Sequence, residues 1–121
     1  MFEGTLLAES LRTGSTLGGL NLTVRTIARY APGDTTGDQP PVWTSIDFEV
    51  ADGDADALAG TFAAVLDEPG WYVNFQSPEL AFVVFREKVF RYPRGDPEGR
   101  TAAQAHGRAH GVPESQLDWT V

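Results

Sequence analysis

Two hydrophobic rhythms run along this chain, one of period two and one near 3.6, and their order sets the expected fold. Residues 20–30 alternate: Leu20, Leu22, Val24, Ala28 and Tyr30 read to one side, Asn21, Thr23, Arg25 and Arg29 to the other. Rich in β-branched positions, this segment reads as a strand. Residues 43–50 alternate again, with Ile46, Phe48 and Val50 on a packed face opposite Trp43, Ser45, Asp47 and Glu49. Residues 71–76 read as a further strand. Residues 80–85 are apolar throughout, as befits a central strand covered on both faces. A turn at 86–88 joins it to 89–92 as a hairpin. Near the start, residues 5–11 read as a short strand, since Gly14, Gly18 and Gly19 interrupt any longer helix.

Helical spacing appears twice. Leu58, Phe62, Val65 and Leu66 recur at i, i+4, i+7 and i+8, a stripe able to cover a sheet. Asp54 or Asp56 caps its start, and Pro69-Gly70 ends it. The second helix runs over about 98–110, with Asp96 as cap, Pro97 at its first turn and Gly111 beyond its end. Residues 31–41 hold two turn-forming stretches and a Pro pair, hence a loop, and 112–119 adds a short turn. The order β-β-β-α-β-β-β-α predicts a single α+β domain over 1–121. Its expected form is a two-layer sandwich, an antiparallel sheet of about five to six strands with two helices, with the ferredoxin-like fold as a candidate relative.

Composition narrows the function classes. The chain has 121 residues, no cysteine and a formal net charge of −8. Disulfides and thiolate metal sites are thereby excluded. Its acidity argues against general nucleic-acid binding, which needs a positive surface. No basic leader or long apolar stretch is visible, so a cytoplasmic location away from membranes is expected. Charge is also segregated. Residues 31–80 contain no Lys or Arg, whereas 86–110 hold Arg86, Lys88, Arg91, Arg94, Arg100 and Arg108. Such polarity can steer a ligand or a partner.

Candidate chemistry concentrates in that basic stretch. Arg91, Arg94 and Arg100 flank the start of the second helix, where backbone N–H groups can hold an anion, and Tyr92 offers a hydroxyl or a stacking face. His106 and His110 lie i, i+4 on one helix face, a zinc-binding spacing. The zincin motif, however, needs Glu where Gly107 stands, so no metal is assigned. Asp52-Gly53-Asp54-Ala55-Asp56 starts like a calcium loop, but Ala57 and Ala63 occupy the positions that require Gly and Glu. No phosphate-loop pattern and no G-x-S-x-G elbow occurs, and no cofactor is expected.

The aromatic positions point elsewhere. Trp43 shares its face with Asp47 and Glu49, while Trp71 and Tyr72 point to opposite sides of their strand. Two placements are open to these rings: an exposed interface beside charge, or burial under the Pro-rich loop. The function expected first is an interaction module binding a protein partner, or itself as a homodimer, through Trp43, Asp47, Glu49, Trp71 and Tyr72. Small neutralising proteins of the immunity or antitoxin kind, and regulatory modules, share its size and acidity. The alternative is a protein or enzyme holding an anionic small molecule with Arg91, Tyr92, Arg94, Arg100, His106 and His110. Lack of a nucleophile-and-base pair favours binding over catalysis.

Overall fold

The computed structural model describes residues 1–121. Six strands form one sheet: β1 (Phe2–Leu7), β2 (Leu22–Tyr30), β3 (Trp43–Val50), β4 (Val73–Gln76), β5 (Leu80–Phe85) and β6 (Lys88–Pro93). Helix α1 (Ala55–Val65) follows β3, and α2 (Pro97–Ala109) follows β6. The strand order is β2-β3-β1-β4-β5-β6, with every neighbouring pair antiparallel. This is the α+β class and the element order that the two periodicities imply. Because β3 and β4 both run antiparallel to β1, they are parallel to each other, and α1 connects them across it. That split β-α-β unit is the feature shared with ferredoxin-like folds.

Strand register assigns the side chains to faces. Phe2↔Val50, Gly4↔Phe48, Gly4↔Phe75 and Phe75↔Phe82 place one set together under α1. Phe62 of α1 meets both Phe48 and Phe75 edge-on, at 5.7 and 6.0 Å between ring centroids. Phe75 stacks on Phe82 at 4.8 Å. Leu11, Leu17 and Leu20 from the first loop complete this core. Ala81, Val83, Phe85 and Tyr92 form a second core on the opposite face, under α2 and the C-terminal residues Val112, Leu117 and Trp119.

The two helices therefore take opposite faces. Two layers describe the β2-β3-β1 half of the sheet, and α2 adds a third layer over β5 and β6. Residues 80–85 sit between both helices, which explains their unbroken apolar run. Helix α2 lies close through Gly99, Ala103 and Gly107, spaced one per turn. A Cβ on Gly99 would strike the Tyr92 ring, and one on Gly107 would meet Leu117 and Phe85 within about 3 Å. Asp96 accepts from the Glu98 N–H at 3.2 Å as N-cap. Gly111, at φ +86°, reverses the chain so that the Val112 N–H reaches the Gly107 carbonyl at 2.9 Å.

Strand β2 departs from simple alternation. Val24 pairs with Phe48 and Thr26 with Asp47, so Arg25 is the extra residue of a bulge. Beyond it the faces exchange. Leu22, Val24 and Ile27 share the α1 side, whereas Ala28 and Tyr30 point to the other, opposite Ser45 and Trp43. As the outer strand, β2 leaves Ile27 63% exposed.

Gly4 marks the closest approach within the sheet. An added Cβ would sit 2.5 Å from the Phe75 Cβ and 2.7 Å from the Asn74 carbonyl. Gly4→Ala is expected to destabilise the fold by about 1–3 kcal/mol, the range for overpacking a tight core. Urea unfolding followed by circular dichroism measures this.

Candidate functional site

The α2 face of the sheet is covered only in part. A 13-residue helix is about 20 Å long and about 10 Å wide. Six strands span roughly 24 Å, so one helix shields about two of them. Over β3, β1 and β4 the same face carries Glu3, Thr5, Asp47, Glu49, Asn74 and Gln76 instead, with no element above it. Thr5 donates to Asp47 at 2.7 Å, and Arg25 reaches Glu49 at 3.4 Å. Glu3, Asp47, Glu49 and Gln76 line a shallow concavity of about 380 Å³, and Arg25 is its one cation.

At one end of this surface lies an aromatic cleft of about 160 Å³, sharing Thr5 as a wall. Its rings are Tyr30, Trp43, Trp71 and Tyr72, with Asn74 and Gln116 beside them. Trp43 and Trp71 meet at 5.4 Å, and Tyr30 stands edge-on to Trp43 at 6.4 Å. Trp43 keeps the face its alternation assigns, together with Asp47 and Glu49. It is nevertheless only 6% exposed, so of its two open placements burial under the Pro-rich loop is the one adopted. Its indole Nε1–H donates to the Pro40 carbonyl at 2.9 Å. Trp71 and Tyr72 do not alternate across a strand: β4 starts only at Val73, and both rings line this cleft, Trp71 buried and Tyr72 half-buried with its hydroxyl donating to the Gln116 carbonyl.

Two glutamines hold the loop in place. Gln39 and Gln116 exchange side-chain amide hydrogen bonds at 3.0 and 2.9 Å. Gln39 also donates to the Gly70 carbonyl at 3.0 Å, and Gln116 to the Asp34 carbonyl at 3.0 Å. The Pro-rich loop, the residue before Trp71 and the C-terminal segment are thus clasped together. Sequence reasoning missed both glutamines, because partners 77 residues apart leave no local pattern.

No carboxylate lines the cleft, but Asp47 and Asp34 stand one hydrogen bond behind its walls, on Thr5 and Gln116. Burial raises the Tyr30 phenol above its ordinary pKa, with further contributions from Asp34, Glu9 and Asp47. Burial also pushes Tyr72 well up, aided by Asp118 and Asp34. No Lys or Arg lines the cleft.

The basic stretch does not converge in the same way. Arg91 pairs with Phe82 on the α1 face, 3.6 Å from Asp56, in a hollow also lined by Asp52 and Glu79. Tyr92 points to the other face and is buried, accepting from Trp119 Nε1 at 3.0 Å and donating to the Val121 carbonyl at 2.9 Å. Arg94 donates to the Ser77 carbonyl at 3.1 Å, and Arg100 to the Thr120 carbonyl at 3.2 Å. These contacts hold the 77–80 turn and the C-terminus. His106 and His110 stack at 4.1 Å, with His106 against Phe85 and His110 3.7 Å from Glu68. Desolvation, then the neighbouring His110 and Lys88, lower the His106 pKa. Nowhere do three or more His, Asp or Glu side chains gather in a way that could hold a metal ion. No helix is long and apolar enough to cross a membrane.

Comparison with family models, with curated proteins and with solved structures finds no match to this chain. The functional reading rests on its own geometry.

Gln39→Ala and Gln116→Ala are each expected to cost about 1–3 kcal/mol, the penalty for leaving a partly buried amide unpaired. The double variant is expected to cost less than the sum, since both changes break one clasp. Urea unfolding of the single and double variants supplies the cycle, and tryptophan emission shifting to the red in the folded variants reports an opened cleft.

Proposed function

We propose that this protein is an interaction module that binds a basic protein partner on the uncovered half of the sheet. The observation that carries this reading is the surface formed by β3, β1 and β4. Glu3, Asp47 and Glu49 lie together there, on a rigid sheet, beside a cleft lined by four aromatic rings. Carboxylates near one another repel, and a cationic partner relieves that repulsion while gaining steered association. Aromatic rings at the margin supply apolar contact area at little entropic cost, because they are already ordered by packing. An anionic small molecule finds less support. Arg91 and Tyr92 occupy opposite faces of the sheet, and Arg94 and Arg100 are engaged with backbone carbonyls. The immunity, antitoxin or regulatory setting expected from size and acidity is compatible with this surface.

The test is affinity capture from the source cells, followed by binding measurements on the purified pair. The expected partner is basic. Asp47→Lys combined with Glu49→Lys is expected to weaken it at least about 100-fold, since like charges placed across an interface cost several kcal/mol. Asp67→Lys with Glu68→Lys makes the same change in net charge elsewhere and is expected to weaken it far less. Equal loss in the two double variants, or no loss in the first, would contradict the proposed surface.

A further inference from the structure

We infer that the cleft between Tyr30, Trp43, Trp71 and Tyr72 receives one arginine side chain of the partner. This rests on the interaction surface proposed above and names the group recognised at its aromatic end.

The cleft has the size of a side chain, about 160 Å³, and is too small for a helix or strand. Its walls are aromatic, and ring faces attract cations through their quadrupoles. Carboxylates stand directly behind its walls: Asp47 accepts from Thr5 at 2.7 Å, and Asp34 is held by Ser115 at 3.1 Å and through its carbonyl by Gln116 at 3.0 Å. The protein brings no cation of its own into the space. Arg29, the nearest in sequence to Tyr30, donates to Thr44 at 2.8 Å and does not line the cleft. A site with this field and no resident counter-charge favours a guest that carries one.

Arginine suits the walls better than lysine. A guanidinium is planar, weakly hydrated and stacks on rings, while its five N–H donors lie in its own plane. Thr5 and Asn74, whose side chains carry oxygen acceptors, line the cleft beside the rings. An ammonium is a compact, strongly hydrated point charge and loses more on entering a half-enclosed aromatic space. The rings are also held in place. Trp43 is fixed by the Pro40 carbonyl and Tyr72 by the Gln116 carbonyl, so little ordering remains to be done on binding. Tyr30 is the open wall: it is 43% exposed, on the edge strand.

The probe is the blocked tripeptide acetyl-Gly-Arg-Gly-amide, titrated into the intact protein and followed by the indole N–H signals in NMR. Trp119 is the internal comparison: its Nε1–H is buried against the Tyr92 hydroxyl under α2, and its ring meets the cleft only from behind Tyr72, at 4.9 Å. The arginine peptide is expected to shift Trp43 and Trp71 more than Trp119, with a dissociation constant on the order of millimolar for a single isolated contact. The citrulline analogue, matched in shape but neutral, and the lysine analogue are expected to bind more weakly. Tyr30→Ala and Asp47→Asn are expected to reduce arginine affinity by about two- to fivefold, the scale of one cation–π or exposed charge contact. Both positions tolerate change: Tyr30 is exposed, and the amide introduced by Asp47→Asn keeps the shape and the acceptor oxygen that Thr5 binds. Equal shifts with citrulline, a Trp119 shift as large as those of Trp43 and Trp71, or no shift at about tenfold above that concentration range would overturn the inference. With the partner, loss of binding in Asp47→Lys/Glu49→Lys but not in Tyr30→Ala would overturn the arginine receptor and leave the surface standing. Arginine binding in the cleft with partner affinity indifferent to those lysines would remove the surface and leave the receptor.

Discussion

The paired amides of Gln39 and Gln116 set the shape of the aromatic end of the sheet. A glutamine buried in a loop has two donors and an acceptor to satisfy, and neither side chain achieves this alone. Together with Gly70 and Asp34 they close a small network that draws three distant segments onto the sheet. Low exposure strengthens each bond and penalises each missing one, so the network is held as a unit. Its consequence is that the Pro-rich loop becomes a lid over Trp43 and Trp71. Without it, two large rings on the polar face of the sheet would lie open to water.

The second constraint is coverage. Two short helices cannot shield both faces of a six-stranded sheet, and the sequence divides its apolar residues accordingly. The α1 face is apolar across β3, β1, β4 and β5, where Phe2, Phe48, Phe62, Phe75 and Phe82 interlock. The other face is covered by apolar packing over β5 and β6, where α2 and the chain end pack through small residues and Trp119. What remains, over β3, β1 and β4, is carboxylate, amide and hydroxyl, with Leu7 and Trp43 only at the cleft end. The proposed surface therefore lies where the fold leaves polar residues uncovered, with the clasped aromatic cleft at its margin.

Much of this architecture is legible in local pattern. Alternation at 43–50 and the apolar run at 80–85 mark two strands within a residue of their observed ends, because their side-chain periods follow directly from burial. Asp96, Pro97 and Gly111 bracket α2 through short-range capping geometry. The bulge at Arg25 is not legible, since an extra residue in one strand is defined only against its partner, and it exchanges the faces of everything after it. The arginines at 91, 94 and 100 are close in sequence, yet strand parity and carbonyl acceptors disperse them. Conversely Thr5, Tyr30, Trp43, Trp71 and Gln116 come from five separate segments and meet only through tertiary structure. Of that cleft, the pattern marks Trp43, Trp71 and Tyr72; the residues that complete it and the clasp that shapes it leave no local trace.

The central claim is that the uncovered half of the sheet is the surface the partner occupies. Carboxyl-group footprinting tests it most directly, by labelling free acids with a soluble carbodiimide and an amine in the free and partner-bound protein. The account predicts that Glu3, Asp47 and Glu49 lose reactivity on binding, while Asp56, exposed on α1 over the opposite face, keeps its own. Protection of Asp56 with Glu3, Asp47 and Glu49 still reactive would contradict it.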